Sequence, residues 1–576
     1  MKILPPVSIE ARRLLPSRWD LLAAALVLGF LVAFADTSRL LIQPLSVISG
    51  DHLNLSAWLL PGYALRTGLR MLLAMLVSLA FTFSYATWAA KNPRAGTLLI
   101  PLLDILQSVP VLGFLSVTVV WFLSLSPGRI FGAELACIFA IFSNQAWNMA
   151  FSFYQSLRTV PEDFTEAGRM LGLSPWARFW RIEAPFATPP LIWNMMVSMA
   201  GGWFFVTLSE AISVGETTIS LPGIGSYIAV AIAQRDMPAI LYAIFAMLVV
   251  ILIYDQLLFR PLLAWADRFR VGEDDQSDDD PPQSWALTML RRSRLIDWMT
   301  APFEKMMRWS YRWHPPNFGL RGATRELDSR LADILWYFLL CLLGLFCIWR
   351  TYAFAHAALS WADFGLTIWL GCLTMLRVVV LIILASLVWT PIGVYVGLRP
   401  RLTRIVQPVA QFLAAFPNNL LFPLFVSMIV LWKLNANIWL SPLLVLGPQW
   451  YILFNVIAGA RTMPKELMDA GDNFGVKGWL WWKRIALPAI FPHYLTGAIT
   501  ASGGAWNASV VAEVANWGPT TLRADGLGAY IAEAATSGDF RHVVLGMAVM
   551  AFFVVVVNRL FWQPLYWLAE RKYRLT

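Results

Sequence analysis

Two carboxylates stand where carboxylates are costly. Glu210 and Glu513 each close a long apolar run, and an acid inside hydrocarbon is a functional candidate until something is found to pair with it. Such a pair could carry an ion or a proton along a path through a membrane. It could equally bond a backbone end near the outer edge. Counted from Leu191, Glu210 lies about 28 Å along a helix, towards the outer end rather than the midplane. Polar or aromatic groups also interrupt the apolar segments: Asn144, Asn148 and Trp203 before Glu210, and Asn455, Trp506, Asn507 and Ser509 before Glu513. With the two acids they are the candidate pathway residues, and bridging of neighbouring helices is the competing role for each. Catalytic residues and a metal site are not expected. Cys137, Cys341, Cys347 and Cys372 sit in apolar runs without CxxC spacing, the five His are scattered, and no nucleophile motif accompanies the acids. No GxxxxGK[ST] phosphate cradle is present, so this chain has no means of hydrolysing a nucleotide.

A second constellation is polar, basic and repeated. Glu166 to Pro185 reads EAGRMLGLSPWARFWRIEAP, and Asp469 to Pro488 reads DAGDNFGVKGWLWWKRIALP. Glu166, Ala167, Gly168, Gly172, Arg181 and Pro185 recur 303 residues later as Asp469, Ala470, Gly471, Gly475, Arg484 and Pro488. A short helix with small residues on one side suits docking, because those residues let another backbone come close. The acids are expected near the helix starts, where the macrodipole favours a carboxylate. Arg181 and Arg484 are placed to anchor the segment to acidic or headgroup partners, and Pro185 and Pro488 to end it before the next apolar run.

The elements that hold these residues follow from hydropathy. With 58% hydrophobic and 14% charged residues among 576, and 29 Trp, the mean hydropathy of +0.61 excludes a soluble globular chain. Trp at that frequency suits membrane–water boundaries. A membrane-crossing helix needs about 20 mostly apolar residues. That criterion places candidates in the first half at about 19–37, 65–90, 97–126, 131–157, 188–214 and 238–260, with a kink expected at Pro110 in the third. The second half gives 331–354, 367–397, 404–433, 438–460, 491–516 and 541–564. The chain reads as an all-α polytopic membrane protein of about 12 spans, its N-terminal run retained as the first. Lys and Arg collect at alternate ends, so the positive-inside rule puts both termini, the central linker and both repeated segments in the cytoplasm. The net charge of +9 therefore reports orientation, not nucleic-acid binding.

The repeat runs far beyond the basic segment. Thr67, Arg70, Pro110, Trp203, Glu210 and Gly225 correspond to Thr374, Arg377, Pro417, Trp506, Glu513 and Gly528. Six spans separate the basic segments, and an even number returns the chain to the same face, so the halves are parallel repeats. They are unequal inside: Asp104 matches Gln411 and Asn148 matches Tyr451, which implies an asymmetric passage. Domains are expected at 1–265 (core 60–260, basic loop 158–188) and 331–576 (core 367–564, basic loop 461–491). The linker at 266–330 opens with the acidic Glu273 to Pro282 and turns Trp-, Met- and Arg-rich from Ser284 to Trp313. Short amphipathic helices on the inner leaflet are expected there, broken at Pro302, with a partner-docking surface as the alternative.

The two basic segments resemble the EAA loop of ABC-type importer permeases, and VVAEVANW (Val510 to Trp517) with GLGAYI (Gly526 to Ile531) resembles the nitrate/sulfonate/taurine branch. TLSEAISV with GIGSYI is the first half's version. The resemblance implies two type I importer transmembrane domains of six helices each in one chain of a bacterial inner membrane. It implies two ATPase subunits, expected to be identical, docking on two coupling helices and using ATP and Mg, while this chain binds no cofactor. It also implies a periplasmic or lipid-anchored binding protein that delivers a small anion or compact organic compound. The alternative is an ion-coupled secondary transporter of two parallel six-helix repeats, using Glu210 and Glu513.

Overall fold

The computed structural model describes residues 19–25, 27–29, 54–108, 111–214, 217–269, 284–312, 334–342, 344–346, 349–350, 353 and 360–572. The first half contributes α1 (Leu60–Lys91), α2 (Pro93–Ser108), α3 (Val111–Leu125), α4 (Ile130–Arg158), α5 (Glu162–Met170), α6 (Ala184–Ser209), the hairpin β1 (Ala211–Val214) and β2 (Thr217–Ser220), α7 (Ile224–Gln234) and α8 (Met237–Tyr254). Between the halves lie α9 (Trp285–Arg292) and α10 (Arg294–Arg312). The second half repeats the series as α11 (Trp361–Gly397), α12 (Pro400–Ala415), α13 (Phe422–Leu431), α14 (Gln449–Arg461), α15 (Lys465–Asn473), α16 (Leu487–Ala512), β3 (Val514–Trp517), β4 (Thr520–Arg523), α17 (Leu527–Thr536) and α18 (Phe540–Val557).

In each half the first, fourth and sixth helices form the core: α1 and α6 pack on α4, and α11 and α16 on α14. The sequence explains the closeness. Arg70, Ala74, Ser78, Thr82 and Ala86 recur every fourth residue along α1 and all are buried. That period puts them on one face, and small side chains let membrane helices associate by close packing. The seam is pinned by Ser78 Oγ donating to Gln145 Oε1 (3.2 Å) on α4.

The third candidate span of each half is broken. α2 stops at Ser108 and α3 starts at Val111, on either side of Pro110, which is outside the described residues. In the second half the helices flanking Pro417 diverge by 74°. Helices flanking the break reach the other half. α3 lies on α16, α17 and α18 of the other half, and α12 lies on α6 and α8, so each half completes the other's wall.

Among the described residues six helices are long and apolar enough to cross a membrane, or up to eight if each of two bent pairs counts as one span. Of the twelve candidates, 19–37 and 331–354 are described only in part. The run 97–126 is divided, and α16 is long enough at 26 residues but diluted by Gly, Ser, Thr and Asn. Two spans also end earlier than expected. α6 ends at Ser209 and α16 at Ala512, because the chain then turns into the antiparallel hairpins β1–β2 (Ala211 opposite Ser220) and β3–β4 (Val514 opposite Arg523).

The acidic run Glu273 to Pro282 lies outside the described residues. The basic part of the linker is helical, but Pro302 does not break it. α10 runs through that residue for 19 residues, the division falling instead at Ser293, where the side chain of Ser293 (3.1 Å) and the backbone N–H of Arg294 (2.7 Å) both donate to Asp20 Oδ1.

Candidate functional site

The repeated basic segments fold as twins. α5 and α15 are nine-residue helices, each followed by a return towards the membrane. Each ends in the same closure: Gly172 N–H donates to Arg169 O (3.0 Å) and Leu173 N–H to Gly168 O (3.1 Å), while Gly475 and Val476 donate to Asp472 O (3.0 Å) and Gly471 O (2.9 Å). This is the Schellman arrangement, which requires a left-handed residue just past the helix. Gly172 and Gly475 both supply it at φ 65°. Gly168 and Gly471 have a different task. A Cβ there would lie 2.7 Å from Ile182 Cδ1 and 2.5 Å from Ile485 Cδ1, so the helix folds back onto the chain's own isoleucine.

Several expectations are corrected by this geometry. Gly168 and Gly471 serve the loop's internal packing rather than leaving a surface open to another backbone, whereas Gly172 and Gly475 are exposed and close the helix ends. Glu166 and Asp469 lie mid-helix, and the acids of the first turn are Glu162, Asp163 and Glu466. Ala167 is exposed and Ala470 half-buried. Pro185 and Pro488 do not end the excursion but stand near the start of α6 and α16, straight after the π-helical turns Phe179–Glu183 and Trp482–Ala486. A proline cannot serve the carbonyl four residues back and its ring crowds it, so a wider turn there relieves both faults. Arg181 packs its guanidinium over the Tyr311 ring of the linker, 4.8 Å from the centroid, and Arg484 is exposed. The outward side of each loop carries a matched large apolar residue, Leu171 at 76% exposure and Phe474 at 84%.

The two buried acids have equally specific surroundings. Glu210 follows the last residue of α6 and turns back to the start of α7, whose first N–H groups have no partner within their own helix. Gly225 N–H donates to Glu210 Oε2 (2.7 Å) and Ile224 N–H to Thr67 Oγ1 (3.0 Å), while Thr67 Oγ1 donates to Glu210 Oε1 (2.7 Å). Glu513 does the same for α17, with Ala529 N–H on Oε2 (3.1 Å), Leu527 N–H on Thr374 Oγ1 (2.9 Å) and Thr374 Oγ1 on Oε1 (2.8 Å). A helix start enclosed in protein needs such partners, and its dipole favours the negative charge. Gly223 and Gly526 leave the room: a Cβ on either would meet the carboxyl at about 2.3 Å and 2.2 Å.

The charge is then balanced from α1 and α11. Arg70 Nη1 donates to Glu210 Oε1 (2.6 Å), and its Nε and Nη2 grip both oxygens of Glu134 (2.7 and 2.6 Å). Arg377 Nη1 donates to Glu513 Oε1 (3.0 Å) and Nη2 to Asn437 Oδ1 (3.3 Å). Arg70 and Arg377 therefore neutralise the acids. Arg235 instead bonds the second hairpin at Thr520 Oγ1 (3.2 Å), and Arg523 pairs with Glu533 (2.9 Å). The residues that sequence reasoning missed here are Glu134 and Asn437. Their signal was available, since they lie 303 residues apart.

The remaining pathway candidates are not gathered at one point. Asn144 and Asn148 donate to Ser198 on α6, each at 3.3 Å. Asn455 bonds its own helix at Tyr451 O (2.8 Å), and Ser509 bonds Trp506 O (2.8 Å). Asn507 accepts from Val111 N–H of the other half (3.1 Å). Trp506 stacks on Phe553 and Trp203 meets Tyr254 edge-on. A cavity of about 650 Å³ lies between the halves, walled by Trp193 and Trp203 of α6, Tyr254, Asp255 and Arg260, and Gln411 and Tyr451 from the second half. Trp203 is the single pathway candidate on its wall. Gln411 and Tyr451 are two positions where the halves differ. Among the described residues no group of three His, Cys, Asp or Glu is placed to share a metal ion.

Comparison with known proteins agrees with a doubled fold. Residues 82–259 and again 389–571 match the family described as "Binding-protein-dependent transport system inner membrane component". Among similar proteins, the glycine betaine/proline betaine transport system permease protein ProW of Escherichia coli is 26% identical over 29% of this chain and 43% of its own length. The bicarbonate transport system permease protein CmpB of a Synechocystis species is 26% identical over 28% of this chain and 55% of its own. The nitrate import permease protein NrtB of Leptolyngbya laminosa is 23% identical over 35% of this chain and 68% of its own. The chain thus spans about half the length of the first of these relatives. With the family's domain present in each half and folded alike, the chain belongs to the binding-protein-dependent transport system inner membrane components, as a fused double permease.

Proposed function

We propose that this chain is the membrane-spanning permease subunit of an ATP-driven importer, lying in a bacterial inner membrane with both termini, the linker and both loops cytoplasmic. Two ATPase subunits of one kind dock on α5 and α15, and their closure on ATP and Mg moves the two halves together. A binding protein on the outer side delivers the solute. The observation that carries this reading is the twin loop: two helices with the same closure, the same internal glycine–isoleucine packing and the same exposed apolar residue, Leu171 or Phe474. A lone basic loop would satisfy the positive-inside rule without any of that detail. The solute is a small anion or compact organic compound, the range within which the solutes named for the relatives fall. The cavity between the halves, with its aromatic walls and unequal polar positions Gln411 and Tyr451, is the proposed passage.

The test is co-purification with an ATPase subunit, followed by ATP hydrolysis in vesicles. Leu171→Glu with Phe474→Glu places charge on both outward faces without entering the packed side of either loop. The expected result is a fully inserted protein that no longer retains the ATPase, with solute-stimulated hydrolysis down at least about tenfold, the equivalent of 1.4 kcal/mol. Solute uptake by the purified chain alone would overturn the reading.

A further inference from the structure

The linker helix α10 presents two different faces. Ile296, Thr300, Met307, Ser310 and Tyr311 are partly covered by the rest of the protein, whereas Trp298, Met299, Pro302, Met306 and Trp309 are exposed. At about 100° per residue, those five exposed residues fall on one continuous arc. Trp298 is 78% and Trp309 67% exposed, and Lys305 and Arg308, also exposed, border the arc on one side. An apolar Trp/Met strip edged with cations has the composition of a helix lying in a membrane surface. Its setting agrees. The start of α10 is bonded to Asp20, and α9 packs on Arg260–Ala266, which continues the span that begins at Met237.

The other end of α10 reaches the first repeated loop. Trp176 Nε1 donates to Ser310 Oγ (3.1 Å) and Arg181 lies over Tyr311. The corresponding residue of the second loop, Trp479, is 75% exposed against 41% for Trp176. We infer that α10 is a membrane-surface strap. Its Trp/Met face enters the headgroup–acyl boundary of an anionic leaflet, and its last turn holds the first loop, so that leaflet charge tightens one loop and not the other. That the loop held is a docking loop rests on the function proposed above; the strap itself does not.

The test uses the full chain alone in nanodiscs, of phosphatidylcholine or of phosphatidylcholine with phosphatidylglycerol, read by amide hydrogen exchange. Phosphatidylglycerol should slow exchange in α10 and in residues 166–181 by at least about fivefold, reversibly with salt, and leave residues 469–484 unchanged. Trp298→Glu with Trp309→Glu should abolish the response of both α10 and the loop. Tyr311→Ala should leave α10 responsive to lipid and uncouple the loop, an outcome that a general loss of folding does not produce. Equal exchange in the two lipids, an equal response of both loops, or protection of α10 that appears only on adding an ATPase subunit would overturn the strap. Because the test contains no ATPase, its failure is separate from failure of the importer reading.

Discussion

The two halves share a plan and differ in how firmly it is fastened. Each has an acid capping an enclosed helix start, a threonine bridging to it and an arginine balancing it. In the first half Arg70 is gripped by two carboxylates and is 2% exposed. In the second, Arg377 has one carboxylate and the amide of Asn437, and its side chain is 14% exposed. The loops diverge in the same direction. Glu183, buried at the foot of the first loop, pairs with Lys91 and lies 3.5 Å from Arg178, and the linker covers part of the loop's other side. The positions matching Glu183, Lys91 and Arg178 in the second half are Ala486, Leu398 and Trp481. What both halves keep is what each needs to form its hairpin and its loop. Among the described residues the first half has the extra ties named above, and two loops of one shape should therefore differ in mobility.

The largest expected effect tests the acid clusters. Arg70→Leu strands two buried carboxylates around a lost cation, and breaking a buried ion pair costs about 3–5 kcal/mol. Arg377→Leu leaves one buried carboxylate, still bonded by Thr374 and Ala529, and removes a cation that was itself partly exposed, so it should cost about 1–3 kcal/mol. Thermal unfolding of the detergent-purified variants, followed by size-exclusion chromatography, ranks them. If Arg377→Leu proves equal or worse, the first cluster is not the firmer one.

A smaller effect tests the loops. Gly168→Val and Gly471→Val push a side chain into Ile182 or Ile485, an overpacking worth about 1–3 kcal/mol. Each should be partly relieved by trimming the facing isoleucine to alanine. Because the first loop has additional ties, Gly471→Val should raise protease cleavage of its loop more than Gly168→Val does. Equal cleavage would mean that the linker and the ion pair contribute nothing to loop mobility.

Much of this was legible in the sequence, for physical reasons. The 303-residue displacement exposes the repeat, and Gly168, Gly172, Gly471 and Gly475 stand at fixed positions of the pattern, though their task differs from the one expected. Small residues were read as room for a partner, whereas Gly168 and Gly471 make room for the chain itself. Spacing reports that a close approach exists, not which backbone makes it. The hairpins were absorbed into the spans at 188–214 and 491–516, since Ala-Ile-Ser-Val and Val-Ala-Asn-Trp are as apolar as the helices before them and periodicity over four residues separates strand from helix poorly. Glu134 escaped notice because it sits early in a helix beyond the length change between the halves, where the displacement falls from 307 to 303. Pro302 misled because a proline disrupts a helix only where the missing bond and the crowded carbonyl find no accommodation.

The smallest effect concerns the ion pair at the foot of the first loop, and here the second half supplies the control. Lys91→Leu with Glu183→Ala installs the very residues found at 398 and 486. Lys91 is 38% exposed, so solvent screens the pair and its coupling should be only about 0.5–1 kcal/mol. Lys91→Leu alone leaves a buried acid facing Arg178 at 3.5 Å and should therefore cost more than the double variant does. Glu183→Ala alone frees a lysine that can reach water and should cost less. Hydrogen exchange in α5 reads the order directly, with Lys91→Leu fastest, the double variant next and the parent slowest. If the double variant instead exchanges as slowly as the parent, the pair fixes nothing, and the unequal hold on the two loops comes from the linker alone.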